Sequence, residues 1–280
     1  MNEVVVIGVD GMLGRCWSEL LTARGVDHVT TTLAELDITD QSALDGFVTP
    51  GTQWVVNCAA YTLVDAAEEH EELANEVNGC AVGRMAERCK AVGAKLLHYS
   101  TDYVFDGTAT SPYVTDHPRN PVNAYGRSKA LGEELIERSG VEHLLVRSSW
   151  LYAPWGQNFV LTIRDLAKTR QRLRVVNDQR GRPTDSRKLA EVSLALADQG
   201  HRGVFHVTDG GECTWFDLAA LIAKVVNPGC QVEPCTSDEF PRPAPRPVYS
   251  VLDISATENV VGSLTPWEDR VRDVLAHIED

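Results

Sequence analysis

Several features typical of secreted, membrane and metal-binding proteins are missing from this sequence. It has no apolar run long enough to span a bilayer and no signal-peptide pattern at its start. Its seven cysteines are odd in number and include no Cys-x-x-Cys pair, and its eight histidines show no metal-ligand spacing. We therefore expect a cytoplasmic protein whose cysteines are small core residues, and the residues themselves predict no metal site.

Excess positive charge is also lacking. The chain carries 26 Lys and Arg against 40 Asp and Glu, a formal net charge of -14. Nucleic acids and anionic membrane surfaces select basic patches, so neither is predicted as a partner. Small anionic ligands remain compatible, because helix N-termini and a few arginines bind them locally.

The first fifteen residues have the pattern of a nucleotide-binding turn. Residues 3–9 form a β-branched run typical of a strand buried on both faces, and residues 15–24 are predicted to be helical. Between them stand Gly8, Gly11 and Gly14. This spacing allows a tight turn, leaves room for a pyrophosphate and points helix N–H groups at it. A glycine triplet alone is weak, but its place between strand and helix favours a dinucleotide site.

The alternation of strand and helix continues and predicts an α/β fold, a Rossmann-type doubly wound parallel sheet. Further strands are expected at residues 26–31, 54–60, 95–99 and 143–148, and a long helix at 65–92. After residue 150 the elements are less uniform. We expect residues 1–148 to form the dinucleotide-binding domain and residues 149–280 to form a smaller, mainly substrate-binding part, with segments that return to the sheet.

A tyrosine and a lysine four residues apart are the candidate catalytic pair. If residues 123–139 are helical, Tyr125 and Lys129 share one face. A nearby ammonium would lower the pKa of the phenol from about 10 and suit it to donate a proton to a carbonyl oxygen. Thr101, at the end of a predicted strand, would donate a second hydrogen bond to that oxygen. The alternative is a chance pair on an amphipathic helix.

Three other features leave alternatives open. The second strand ends in Thr31 and Thr32 with neither an acid nor an arginine, which fits NADPH or NADH and slightly favours NADPH. Arg180 and Arg182 either clamp a diphosphate or are surface charges. The acids at residues 65–72 are predicted to lie on a solvated helix face.

The chain resembles the dTDP-4-dehydrorhamnose reductase family, within the extended short-chain dehydrogenase/reductase superfamily. The resemblance extends over nearly the whole chain and rests on a collinear series of motifs. The most specific of them are Asn57-Cys58-Ala59-Ala60-Tyr61-Thr62-x-Val64-Asp65, Ser100-Thr101-Asp102-Tyr103-Val104-Phe105, Asn120-Pro121-x-Asn123-x-Tyr125-Gly126-x-Ser128-Lys129 and Asp178-Gln179-x-Gly181-x-Pro183-Thr184. One departure is Met12, where the family commonly has glutamine.

The resemblance implies reduction of the C4 ketone of a nucleoside-diphosphate 4-keto-6-deoxy sugar with hydride from NADPH or NADH. It implies that Tyr125 protonates the oxygen, Lys129 lowers the phenol's pKa and holds the nicotinamide ribose, and Thr101 fixes the carbonyl. By matched positions the cofactor side comprises Gly8, Gly11, Met12, Leu13, Gly14, Asp37, Ile38, Ala59, Ala60, Tyr61, Thr62, Tyr125 and Lys129. The substrate side comprises Thr62, Val64, Thr101, Asp102, Tyr103, Tyr125, Trp150, Asn158 and Gln179. A homodimer and a Mg²⁺ ion are implied only through relatives.

Other activities fit the same motifs. A 4,6-dehydratase is disfavoured, because those relatives have Asp-Glu after the Ser/Thr where this chain has Asp102 and Tyr103. Ketoreduction or epimerisation of another deoxysugar nucleotide stays open. So does a non-catalytic, NADP-binding subunit like the regulatory partner of methionine adenosyltransferase, since fold does not determine function.

Overall fold

The computed structural model describes residues 4–278 and contains a six-stranded parallel sheet in the order β2-β1-β3-β4-β5-β10. Three two-stranded sheets, β7–β12, β6–β9 and β8–β11, lie outside it. The strands are β1 Val4–Ile7, β2 His28–Thr31, β3 Trp54–Asn57, β4 Lys95–Thr101, β5 His143–Ser148, β6 Leu151–Tyr152, β7 Arg172–Val176, β8 Arg180–Gly181, β9 Thr184–Asp185, β10 Gly203–His206, β11 Cys213–Thr214 and β12 Gln231–Cys235.

The α-helices of the described chain alternate with these strands. They are α1 Met12–Ala23, α2 Gln41–Phe47, α3 Glu71–Asn75, α4 Ala81–Val92, α5 Ala124–Ser139, α6 Phe159–Thr169, α7 Ser186–Asp198, α8 Trp215–Val226, α9 Ser255–Val261 and α10 Trp267–Ala276. The predicted strand at residues 143–148 is confirmed, and the predicted helix at 123–139 begins one residue later, where Asn123 caps it. The first residue of the predicted strand at 3–9 lies outside the described residues.

The central sheet is buried on both faces, as its β-branched strands predict. One core, built around Val6, Trp17 and Leu97, lies on the face covered by α1 and α7. The other, built around Val5, Met85 and Leu145, lies on the face covered by α2, α4 and α5. A parallel sheet with helices on both faces is the doubly wound arrangement, and the predicted fold class is confirmed.

The chain after residue 150 both builds a second core and returns to the first. Helices α6, α8 and α10 and strand β7 enclose a separate apolar cluster that includes Ile163, Leu218 and Val271. Strand β10 pairs with β5 as the edge of the central sheet, and α7 packs on α1. The division into two parts at residue 148 stays a prediction.

The predicted helix at residues 65–92 is wrong in its first part. Residues Ala66–Glu68 form a short 3-10 turn, and the α-helical chain begins only at Glu71. A π-helical turn at Glu76–Cys80 then joins α3 to α4. The wide turn places Gly79 where a Cβ atom would lie 2.5 Å from Leu131, so α5 packs directly on it. This contact joins segments that are distant in the sequence, so the sequence pattern does not report it.

Within residues 4–278 no helix has both the length and the apolarity that a membrane crossing requires.

Candidate active site

A cavity of about 900 Å³ opens at the carboxyl edge of the central sheet, where ligands of doubly wound folds bind. It begins beside the turn after β1 and extends past the ends of β3 and β4 to the start of α5. Fourteen of the residues predicted from sequence line it: Gly8, Gly11, Met12, Leu13, Asp37, Ile38, Ala59, Ala60, Tyr61, Thr62, Thr101, Tyr125, Lys129 and Trp150. The fold thus brings twelve of the thirteen predicted cofactor residues and four of the nine predicted substrate residues to one surface.

The glycine turn has the shape that a bound pyrophosphate requires. Gly8 has a φ of +86°, and a Cβ atom there would lie 2.9 Å from the Ala59 nitrogen. Gly14 is not a lining residue, but its Cβ would lie 2.1 Å from the Gly8 carbonyl oxygen. It lets α1 approach the turn. Helix α1 begins at Met12 and has no side-chain cap, so its first N–H groups are available to an anion. These residues fit a dinucleotide.

Two segments form the rest of the cofactor wall. Asp37 accepts hydrogen bonds from the Thr39 nitrogen at 2.9 Å and the Thr39 hydroxyl at 2.8 Å, which lower the pKa of its carboxyl. Tyr61 is held by Asn78, whose side chain accepts from the Tyr61 nitrogen and donates to its carbonyl, each at 2.9 Å. These hydrogen bonds hold the backbone of the two wall segments in place.

Thr101 and Tyr125 meet in the cavity although they come from separate segments. Thr101 ends β4, and Tyr125 lies in the first turn of α5. The Thr101 hydroxyl hydrogen-bonds to the phenol and also donates to Asp102 Oδ1 at 2.9 Å. The two hydroxyls therefore face the same point in the cavity, where one carbonyl oxygen can contact both.

The pKa of Tyr125 differs from the sequence expectation. Burial raises it to about 12, the Asp102 charge adds to the rise, and the hydrogen bond with Thr101 opposes it. The expected lowering by Lys129 is not among these effects. In this arrangement the phenol stays protonated through neutral pH, which is the state a proton donor needs.

Lys129 is buried below Tyr125 and makes two contacts with β4. Its Nζ donates to the Tyr99 carbonyl oxygen at 2.7 Å and lies 3.2 Å from Nε2 of His98. Burial lowers the pKa of Lys129 to about 8, and the Glu133 carboxylate opposes that effect. Because the side chain is 2% exposed, its position is determined by these two contacts.

Asp102 and Tyr103 follow Thr101 directly and lie behind the lining. Asp102 is buried, and burial raises the pKa of its carboxyl to about 6. The Tyr103 ring packs edge-on against the Tyr125 ring with 6.0 Å between centroids. Tyr103 thus contacts Tyr125, and Asp102 contacts Thr101, so both support the geometry of the candidate catalytic residues.

Trp150 lines the cavity in an unusual backbone conformation. Its φ is +49°, the only positive value for a non-glycine residue within 4–278. The indole stacks on Trp215 with centroids 3.6 Å apart, and a Cβ at Gly181 would lie 2.7 Å from it. Strained residues persist where the surroundings hold them and cluster at ligand sites. Trp150 therefore lines the cavity in a fixed orientation, and its contact with a substrate stays a prediction.

The remaining predicted substrate residues do not line this cavity. Asn158 caps α6 and donates to the Ala153 carbonyl at 2.9 Å. Gln179 donates to the Ser237 hydroxyl at 2.8 Å, and Val64 is partly buried in the loop before the 3-10 turn. Their substrate roles stay predictions.

Arg180 is paired with Glu212 at 3.2 Å on the surface, as the surface-charge interpretation expects. Arg182 is partly buried, and its carbonyl accepts from the Ser149 hydroxyl at 2.6 Å. Neither arginine lines the cavity. The diphosphate clamp therefore stays a prediction.

The sequence matches the family described as the RmlD substrate binding domain over residues 1–279. The chain belongs to this family. A dTDP-4-dehydrorhamnose reductase from Mycolicibacterium smegmatis is 39% identical over 99% of this chain and 86% of its own length. A dTDP-4-keto-6-deoxy-D-glucose reductase from Streptomyces niveus is also 39% identical, over 94% of this chain and 91% of its own.

Solved structures agree with this RmlD-family assignment. The dTDP-4-dehydrorhamnose reductase of Bacillus anthracis, in complex with NADP, superimposes with a TM-score of 0.92 at 34% identity and covers 99% of both chains. The resemblance to dTDP-4-dehydrorhamnose reductases that the motifs indicated is confirmed.

Several residues of this RmlD-family site escaped sequence reasoning because they act across the fold. Asn57 and His98 connect the cofactor wall to Lys129. Glu68, assigned to a solvated face, accepts from the Ala124 nitrogen at 2.8 Å and holds the first turn of α5. The one sequence feature that could have identified Asn57 and His98 is that each is a polar residue within a strand predicted to be buried.

Among the described residues no group of three or more His, Cys, Asp or Glu side chains is arranged to hold a metal ion.

Proposed function

We propose that the protein reduces the C4 ketone of dTDP-4-dehydro-L-rhamnose to give dTDP-L-rhamnose, with NADPH as the hydride donor. The observation that carries the proposal is the meeting of Thr101, Tyr125 and Lys129 on one cavity wall next to the glycine turn. The names of the Mycolicibacterium smegmatis and Bacillus anthracis relatives support it.

Tyr125 is the proton donor in this proposal. The cofactor, when bound, supplies a hydride to C4, and the negative charge that develops on the carbonyl oxygen is neutralised by the phenol proton of Tyr125. The C=O bond becomes C–OH, and the phenolate left behind regains a proton from solvent. The Thr101 hydroxyl, whose proton is donated to Asp102 Oδ1, turns that proton toward the same oxygen and stabilises it as charge develops.

Lys129, which lines the cavity beside Tyr125, stabilises the phenolate. It lies one helical turn after Tyr125. In its charged form it stabilises the negative phenol oxygen and can donate a hydrogen bond to a ribose hydroxyl of the cofactor. Its contacts with Tyr99 and His98 keep it in place between turnovers.

The choice between NADPH and NADH is decided at the end of β2. The wall there carries the carboxylates of Asp10 and Asp37, and Leu33 projects beside them with 69% exposure. Lys129, at the other end, is the one basic side chain in the described lining. NADP in the Bacillus anthracis relative supports NADPH. A wall with no cation for a 2′-phosphate supports use of NADH as well. We propose that the enzyme accepts both.

Leu33→Arg is expected to raise the preference for NADPH over NADH, measured as the ratio of their kcat/KM values, by at least about tenfold. The new guanidinium would pair with the 2′-phosphate, and a charge-assisted hydrogen bond contributes about 1.5–3 kcal/mol. Leu33→Gln, which has similar length and no charge, is the control and should leave the ratio unchanged. An equal shift in both variants would contradict a role for charge.

The sugar is the second part of the proposal that an experiment must decide. The Streptomyces niveus relative, as similar in sequence as the Mycolicibacterium smegmatis one, is named for a different 4-keto-6-deoxy sugar. This favours reduction of another such deoxysugar nucleotide as the second candidate. Trp150, held rigidly by Trp215, is the described residue best placed to discriminate between sugar rings.

The test is the oxidation of NADPH, followed at 340 nm, on addition of dTDP-4-dehydro-L-rhamnose and of other 4-keto-6-deoxy sugar nucleotides. Reduction consumes one NADPH per ketone and yields one alcohol. Conversion of sugar without net NADPH oxidation would identify an epimerase. Binding of NADPH with no turnover of any sugar would identify a regulatory subunit.

We also propose that the protein is cytoplasmic. All seven cysteines are free thiols, which is the state that a reducing compartment maintains. The homodimer implied by the resemblance is a further prediction, which sedimentation measures directly.

A further inference from the structure

A chain of buried hydrogen bonds runs from the cofactor wall to Lys129. The Ala59 nitrogen donates to Asn57 Oδ1 at 3.0 Å. Asn57 Nδ2 lies 3.1 Å from His98 Nδ1, and His98 Nε2 lies 3.2 Å from Lys129 Nζ. Asn57, His98 and Lys129 are each no more than 2% exposed. No step of the proposed reaction uses Asn57 or His98.

The direction of each hydrogen bond follows from the first one. A backbone N–H can only donate, so the Asn57 atom that faces Ala59 is the acceptor oxygen, and the NH₂ group faces His98. His98 Nδ1 must then accept. Burial lowers the pKa of His98 well below 6.5, so its ring is neutral and carries one proton. That proton is on Nε2, the nitrogen that faces Lys129.

We propose that Asn57 and His98 are positioning residues that set the protonation state of Lys129. Asn57 selects the His98 tautomer whose Nε2–H points at Nζ, and this donor is accepted by a neutral amine and repelled by an ammonium. Lys129 satisfies both neighbours as an amine, since it can donate to the Tyr99 carbonyl and accept from His98. A proton on Lys129 therefore requires His98 to move its own proton to Nδ1 and Asn57 to turn its amide away from Ala59.

The other charged groups around Lys129 oppose or support this effect. On α5, the Glu133 carboxylate one turn ahead favours the ammonium, and the neutral phenol of Tyr125 lies one turn behind. On β5, His143 is the other titratable group that acts on His98. Burial is the largest effect and disfavours the charge. The result is a lysine that titrates near working pH and is coupled to the cofactor wall through Ala59.

The proposal predicts where the proton lies in His98, and this can be measured without any activity. In protein labelled with ¹⁵N-histidine, long-range ¹H–¹⁵N spectra distinguish a protonated Nε2 from a protonated Nδ1. We expect the Nε2–H tautomer at pH 8.5, above the lowered pKa of Lys129. A proton on Nδ1 at that pH would overturn the proposal, and this measurement needs no variant.

Asn57→Asp is expected to reverse the donor and acceptor roles in the hydrogen bonds from residue 57 through His98 to Lys129. A carboxylate accepts from both Ala59 and His98 Nδ1, so Nε2 becomes the acceptor for the Lys129 ammonium. The role of Lys129 in catalysis rests on the function proposed above. If activity needs the ammonium, kcat/KM falls as the pH rises through the pKa of Lys129. The variant should move this alkaline limit upward by about one pH unit.

Asn227→Asp is the matched control. Asn227 also accepts from a backbone nitrogen two residues ahead, that of Gly229, and donates to another group, the Ala167 carbonyl, but it is the partly buried residue at the end of α8 and does not line the cavity. This variant should change neither the His98 spectrum nor the pH limit. If Asn57→Asp leaves the His98 proton on Nε2 and the pH limit in place, the proposal fails. If no sugar nucleotide is reduced, the spectra still identify the His98 tautomer. A failure of the proposed function can therefore be distinguished from a failure of this proposal.

Discussion

Tyr125→Phe is expected to lower kcat by about 10²–10⁴-fold, because it removes the proton donor and leaves the rest of the site in place. Cofactor affinity should change little, since the ring and its edge-on contact with Tyr103 remain. Burial raises the pKa of Tyr125 to about 12, so the wild-type phenol is protonated at neutral pH and the loss applies across the neutral range. Steady-state NADPH oxidation and cofactor titration measure the two effects.

Tyr249→Phe is the control for this substitution. Tyr249 is half-buried near Tyr113 and does not line the cavity, so loss of its hydroxyl should leave kcat within about twofold, as for a site outside the chemistry. Wild-type activity in Tyr125→Phe would remove Tyr125 from the mechanism. Equal losses in both variants would point to a general effect on the fold.

Arg147→Leu is expected to lower the free energy of unfolding by about 3–5 kcal/mol, because it leaves a buried carboxylate without its main partner. Arg147 and Glu133 are 3% and 0% exposed and make two hydrogen bonds, at 2.9 Å and 2.7 Å. The pair ties α5, which carries Tyr125 and Lys129, to β5. Denaturant unfolding measures the loss.

The pH dependence of that loss identifies its cause. Burial alone would raise the pKa of Glu133, but the hydrogen bonds and charge of Arg147 lower it below the usual value. The pair therefore contributes stability above the unfolded pKa of about 4.3, and this contribution is lost as the pH falls through the folded value. In Arg147→Leu the difference from wild type should shrink at low pH, where Glu133 is neutral in the variant.

Arg138→Leu is the control on the same helix. Arg138 pairs with Glu134 one turn away, with 70% and 43% exposure, and such exposed pairs contribute about 0–1 kcal/mol. The double variant Glu133→Leu, Arg147→Leu should recover part of the stability, because no uncompensated charge remains. A loss in Arg147→Leu no larger than in Arg138→Leu would show that the buried pair is not a major contact.

Local sequence patterns predicted the strands and helices that carry the candidate site. The β-branched run before Gly8 predicts β1, and the helix that carries Tyr125 is found within one residue of its predicted start. These two predictions succeed because strand burial and helix capping depend on residues that are neighbours in the sequence. The same patterns failed at residues 65–92, where a 3-10 turn and a π-helical turn interrupt the predicted helix and α5 packs on Gly79.

The amino-acid sequence by itself determined the doubly wound fold, the glycine turn and the identity of the three side chains proposed to act on the ketone. The fold and the turn follow from periodicity and spacing along the chain, and the resemblance to the reductase family singles out the three side chains. Only the tertiary structure decided the electrostatics: the raised pKa of Tyr125, the contact of Lys129 with His98, and the buried pair of Glu133 and Arg147. Burial and contacts between distant segments set these properties, and neither is encoded in the spacing of neighbouring residues.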